Sequence, residues 1–142
     1  MKSKLVLLLA LSCLPACMAQ PIILPAEDID FSRILLAQIN LYRMDKGLNL
    51  LRTDLVLGQL AKQHSAEMFQ RKRVSHRNFD DRTDQAGSRL CVENVGWNYD
   101  SPLDMFEGWR RSRGHDRNML KEGITRVGIA ETGRYVTFFA CR

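Results

Sequence analysis

From residue 31 onward, apolar side chains return every three or four positions. Phe31, Ile34, Leu35, Ile39 and Tyr42 mark a helix with one buried face. Asp28 or Asp30 can cap its first free N–H groups, and Gly47 ends it. A second stripe, Leu57, Leu60, Ala61, His64 and Met68, predicts a helix capped by Thr53 or Asp54, with Lys62, Glu67 and Gln70 on its far side. Residues 71–90 are polar and have no sustained period, so they read as a long loop, a feature that in a small domain carries function or disorder. Val92 to Trp97 reads as a short strand. Ser101-Pro102-Leu103-Asp104 then supplies a cap, a proline at the first helical position and an acid in the first turn. Met105, Phe106 and Trp109 form the inward stripe of that helix; Gly114 stops it, and His115 to Lys121 adds a further turn. Finally, Thr125 to Glu131 and Arg134 to Cys141 alternate around Thr132-Gly133 as a hairpin. Helices early and strands late give an α+β class with an antiparallel sheet, without internal repeats.

The first residues follow another pattern. Lys2 and Lys4 precede an apolar run from Leu5 to Leu14 and then small residues, which is a secretory signal too short to span a membrane. The reading is therefore a signal at residues 1–19, a spacer at 20–29 containing Pro21 and Pro25, and one domain at 30–142. Leu14-Pro15-Ala16-Cys17 resembles a lipoprotein signal, in which Cys17 would be lipidated and anchor the protein to the envelope; ordinary cleavage after Ala19 is the alternative. The destination is the periplasm, the outer membrane as a lipoprotein, or the exterior. Either cleavage leaves Cys91 and Cys141 as the two remaining cysteines. Export makes a disulfide between them the first reading, worth roughly 4 kcal/mol through loop closure, and two buried thiols the second. Loss of two lysines leaves 19 bases against 16 acids, a net charge of +3. So mild a charge argues against nucleic acid as a partner.

Leu36-Ala-Gln-Ile-Asn-Leu-Tyr-Arg43, Gly47-Leu48, Leu51, Asp54 and Leu60-Ala61 resemble the opening of the CAP superfamily, which covers cysteine-rich secretory proteins, antigen 5 and the pathogenesis-related 1 proteins. The likeness continues through His64-Ser65 and Met68, Ser75-His76, Phe79, Arg82, Glu93-Asn94-Val95 and Trp109. It closes with Ser112, Gly114-His115, Asn118, Leu120 and Val127-Gly128-Ile129. The resemblance implies an α-β-α sandwich with an antiparallel sheet between helical layers and a cleft holding two histidines and two acids. It also implies a divalent metal in some members, and roles ranging from sterol and lipid binding to peptide or protease-like activity and host defence.

Carried over position by position, His76 and His115 match the two histidines and Glu93 the first acid. The second acid's position holds Ser112, as in many short bacterial members. Glu107 does not replace it, because at 100° per residue it sits about 140° from Ser112 around the helix. The resemblance thus gives a cleft triad of His76, Glu93 and His115, with Ser112, Asn94 and Arg113 as further ligand-binding residues. Asn94 is expected to order the Glu93 segment, and a Cys91 disulfide to hold that carboxylate in place.

Two neutral imidazoles and one carboxylate are a workable set for zinc with a water as fourth ligand, which would support metal-dependent, peptidase-like hydrolysis. Without a metal the same groups form a hydrogen-bonding floor for a small ligand, lipid, peptide or envelope component. A purely structural envelope module is the third reading. Several residues read more simply. His64, on the apolar stripe, is a packed, hydrogen-bonded core histidine, and Trp97 and Trp109 are core, with a place as a substrate platform beside the cleft as the alternative for Trp97. Arg110, Arg111, Arg113 and Arg117 are a solvated helix end, with attraction to anionic ligands as the functional alternative.

Overall fold

The computed structural model describes residues 26–142, with side chains from residue 31 onward. The expected signal, the lipidation at Cys17, most of the spacer and the capping side chains of Asp28 and Asp30 lie outside the described residues. Helix α1 (Ala26–Asp45) begins within the stretch read as spacer and ends at Gly47, whose φ of +70° suits a residue without a side chain. Strand β1 (Arg52–Thr53), helix α2 (Leu55–Arg71) and helix α3 (Phe79–Gln85) follow, and then strand β2 (Cys91–Trp97). Helices α4 (Pro102–Arg111) and α5 (Arg113–Met119) and strands β3 (Arg126–Thr132) and β4 (Tyr135–Cys141) complete the domain. Among the described residues no helix is long and apolar enough to cross a membrane.

The sheet order is β1-β3-β4-β2. β4 lies at its centre, antiparallel to both neighbours, and β1 adds a short parallel pairing to β3 that the sequence pattern did not announce. β4 is buried along its whole length because both of its faces are covered. Val136, Phe138 and Ala140 pack with Leu35, Ile39, Met105, Phe106 and Trp109, from α1 and α4. On the opposite face, Phe139 and Cys141 pack with Leu57, Leu60 and Ala61 of α2. The sheet is therefore sandwiched between α2 and α3 on one side and α1, α4 and α5 on the other.

The buried stripe of α2 is as its spacing predicts, and Asp54 caps it by accepting from the Leu57 N–H at 3.0 Å. In α1, Ile34 is exposed, and the inward row instead runs Leu35, Ile39, Arg43. Arg43 is fully buried yet satisfied, donating to Asn49 O at 2.8 Å, Met119 O at 2.8 Å and Lys121 O at 3.0 Å. It ties the end of α1 to the end of α5.

Three further expectations change. The long loop contains α3, a helix too short to show a period; Phe79 packs edge-on to Phe139 at 6.1 Å and Arg82 points inward. The break after α4 falls at Ser112, which has extended backbone, and Gly114 sits inside α5. The hairpin turns on Gly133 and Arg134, both with positive φ (+54° and +68°), so Thr132 stays in the strand opposite Tyr135.

Candidate functional site

β2 is an outer strand, and its alternation sends neighbouring side chains to opposite faces. Glu93 faces α2 and α3, whereas Asn94 faces α5. Glu93 is 4% exposed, so its charge needs partners. Arg82 provides them, with Nε and Nη2 both donating to Oε2 at 2.9 and 2.6 Å. His76 Nδ1 lies 2.9 Å from the other oxygen, Oε1. A carboxylate can only accept, so Nδ1 carries a proton, and in the neutral ring Nε2 keeps its lone pair. Nε2 has no partner among the described residues, and the ring is half exposed.

Asn94 ties β2 to α5. Its Nδ2 donates to His115 O and its Oδ1 accepts from Asn118 Nδ2, both at 2.9 Å. Asn118 also donates to Glu93 O at 2.9 Å. These bonds hold the His115 turn against β2, where the imidazole stands 6.1 Å from the Trp109 ring. Burial lowers the pKa of His115 below its ordinary value, and electrostatic interaction with His76 lowers it further. His115 is therefore a neutral imidazole at neutral pH.

His76 and His115 line one lobe of about 390 Å³ with Val74, Ser75, Trp97 and Tyr99. An adjoining lobe of about 370 Å³ is lined by His76, Phe79, Cys91, Glu93 and Asn118. His76 belongs to both. The three triad residues thus border two neighbouring cavities that share His76, and of the two histidines in the triad only His76 contacts Glu93.

Glu93 is committed to protein partners rather than to an ion. Both oxygens of Glu93 are engaged, and among the described residues no three His, Cys, Asp or Glu side chains converge to hold an ion. A cation at His76, Glu93 and His115 would have to break the Arg82 pair or the His76 hydrogen bond.

Other sequence expectations resolve individually. Cys91 and Cys141 form a disulfide between directly opposed residues of β2 and β4, two positions from Glu93. Ser112 and Arg113 do not line either lobe; Ser112 breaks the helix, and Arg113 is an exposed residue at the start of α5. Glu107 points elsewhere, pairing with Arg110 at 2.8 Å. His64 is a core histidine whose Nε2 donates to Ser75 O at 2.7 Å, which fixes the loop carrying His76. Trp109 is core, but Trp97 is 50% exposed and forms a wall of the groove. Arg82 stood in the family motif without an assigned role, because its value depends on a partner eleven residues away.

The profile of the cysteine-rich secretory protein family, CAP, matches residues 36–141. A Bacillus subtilis protein named an uncharacterized membrane protein, YlbC, is 28% identical over 105 residues, spanning 69% of this chain and 30% of that protein. An extracellular protein containing a SCP domain from Bacillus anthracis superposes with a TM-score of 0.76 at 23% identity, over 87% of this chain and 45% of that one. An outer surface protein from Borrelia burgdorferi gives 0.70 at 19% identity, over 80% of this chain and 93% of that one. The match across 36–141, carried on the same sandwich, places the chain in the cysteine-rich secretory protein (CAP) family.

Proposed function

We propose that this CAP domain is exported and binds an extracellular or envelope ligand, without covalent chemistry, in the groove between His76 and His115. The observation that carries this reading is the Arg82–Glu93 pair. It engages the carboxylate that a general base or a direct metal ligand would use, and turns Glu93 into a support for His76. What faces the groove is then recognition chemistry: a lone pair on His76 Nε2, the His115 ring, and the aromatic walls Trp97 and Tyr99. Export is supported by the signal-like N-terminus, by the disulfide, and by the similarity to an extracellular and an outer surface protein.

The test uses Trp97 as reporter, since Trp109 is buried. Fluorescence is followed while phospholipid vesicles, peptidoglycan fragments or blocked peptides are added. One class should shift the emission saturably, and His76→Ala with His115→Ala should weaken that response by about tenfold or more. If no probe saturates, or the double variant binds as the wild type does, the reading fails.

A further inference from the structure

β2 is bound to β4 on one side only, and its other edge runs along the groove between His76 and His115. Which main-chain groups face that edge follows from the phase of the ladder. In an antiparallel pair, opposed residues alternate between those that exchange both main-chain hydrogen bonds and those that exchange none. Both ends of β2 set the phase: Leu90 O accepts from the Arg142 N–H at 3.0 Å, and the Asn98 N–H donates to Arg134 O at 3.1 Å. Val92, Asn94 and Gly96 therefore bond to β4. Cys91 and Cys141, with Cα atoms 4.1 Å apart, form a pair of the non-bonded kind, and Cys141 O turns away to accept from Thr125 at 2.8 Å.

It follows that the N–H and C=O groups of Cys91, Glu93, Val95 and Trp97 point out of the sheet. Asn118 closes the edge at Glu93 O. Beyond it, the main-chain groups of Val95 and Trp97 have no hydrogen-bond partner among the described residues. Both residues line the groove. An open strand edge is a template for another strand, and folded proteins normally cover it.

We propose that this edge takes an extended peptide as an added β-strand, with the peptide backbone paired to Val95 and Trp97 and passing between the imidazoles of His76 and His115. This inference rests on the groove reading above and specifies its ligand. Strand addition draws affinity from main-chain bonds and selectivity from alternate side chains, which here would turn toward His76 on one face and His115 on the other. The rim selects charge. Arg73, Arg77 and Arg113 are exposed, lie within two residues of lining positions, and carry no ion pair among the described residues. The favoured peptide is acidic.

The experiment titrates the protein with a blocked pentapeptide of alternating glutamate and valine and follows amide exchange by NMR. Exchange at Val95 and Trp97 should slow, and methylating the peptide's central nitrogens should weaken binding by about tenfold or more. Replacing its glutamates by lysines should also weaken it, and added salt should weaken the acidic form. Val95→Pro, which removes an N–H that the sheet does not use, should stay folded and lose the peptide. Equal binding of the methylated peptide, or unchanged Val95 and Trp97 amides, overturns the inference, and does so even if Val95→Pro fails to fold. Equal binding of the lysine peptide overturns the acidic preference. If peptides leave Trp97 unmoved while vesicles or glycan fragments shift it, strand addition falls and the groove reading stands. Silence from every class sinks both.

Discussion

Arg82 binds one oxygen of Glu93 twice, through Nε and Nη2, and leaves the other oxygen to His76. The two partners differ in weight. The Arg82 and Glu93 side chains are 6% and 1% exposed, whereas His76 is 55% exposed. Arg82→Met should therefore lower unfolding stability by about 3–5 kcal/mol, because a buried carboxylate loses its counter-charge. His76→Ala should cost less than about 1 kcal/mol, since solvent screens that contact. Urea denaturation of the two variants checks both values. A smaller loss in Arg82→Met than in His76→Ala would contradict the assignment.

The disulfide joins residues separated by 50 positions. In the chain-entropy model, closing such a loop contributes roughly 4 kcal/mol. Cys91→Ser with Cys141→Ser should lose a stability of that order under oxidising conditions, and strong reductant should bring the wild type close to the double variant. Equal stability of the oxidised wild type and the double variant would show that the bond constrains little.

His115 has its pKa lowered from an ordinary 6.5, first by burial and second by His76. Below pH 6.5 the unfolded chain takes up a proton that the folded site resists, so this contribution to stability is present above 6.5 and is lost as the pH falls. An NMR titration of the His115 ring should give a midpoint below 6.5, and in His76→Ala that midpoint should rise while staying below 6.5. No movement in the variant would mean the two imidazoles do not sense each other across the groove.

Gly128 lets β3 approach the backbone of α2, because a side-chain carbon there would collide with Leu57 C and O and with Gly58 N. Those are main-chain atoms and cannot swing aside. Gly128→Ala should cost about 3 kcal/mol, read as a shift in the denaturation midpoint with the m-value unchanged. A neutral substitution would show that α2 can slide on the sheet.

Much of this architecture is readable from the sequence because it depends on local periodicity and end signals. The stripe of α2, its cap at Thr53 or Asp54, the Ser101 cap and the strand from Val92 to Trp97, which begins one residue earlier at Cys91, are of that kind. What stayed hidden depends on partners distant in the chain. α3 has only seven residues, and tertiary packing of Phe79 and Arg82 holds it. β1 exists only through its pairing with Arg126 and Val127. Burial of Arg43 needs carbonyls near residue 120, and no pattern around Arg43 announces them. At the site, the family resemblance picked out His76, Glu93 and His115. It did not show that Arg82 would claim the carboxylate, and of the two readings open for Trp97 it did not choose the groove wall.

The central claim is that Glu93, held by Arg82, orients His76 with its proton on Nδ1 and its Nε2 lone pair toward the groove. Long-range proton–nitrogen NMR on selectively labelled protein at pH 8.5 reads which ring nitrogen is protonated. The account predicts the Nδ1–H tautomer in the wild type, and a shift toward the ordinary tautomer mixture in Glu93→Leu combined with Arg82→Met. A wild-type His76 carrying its proton on Nε2 would contradict it.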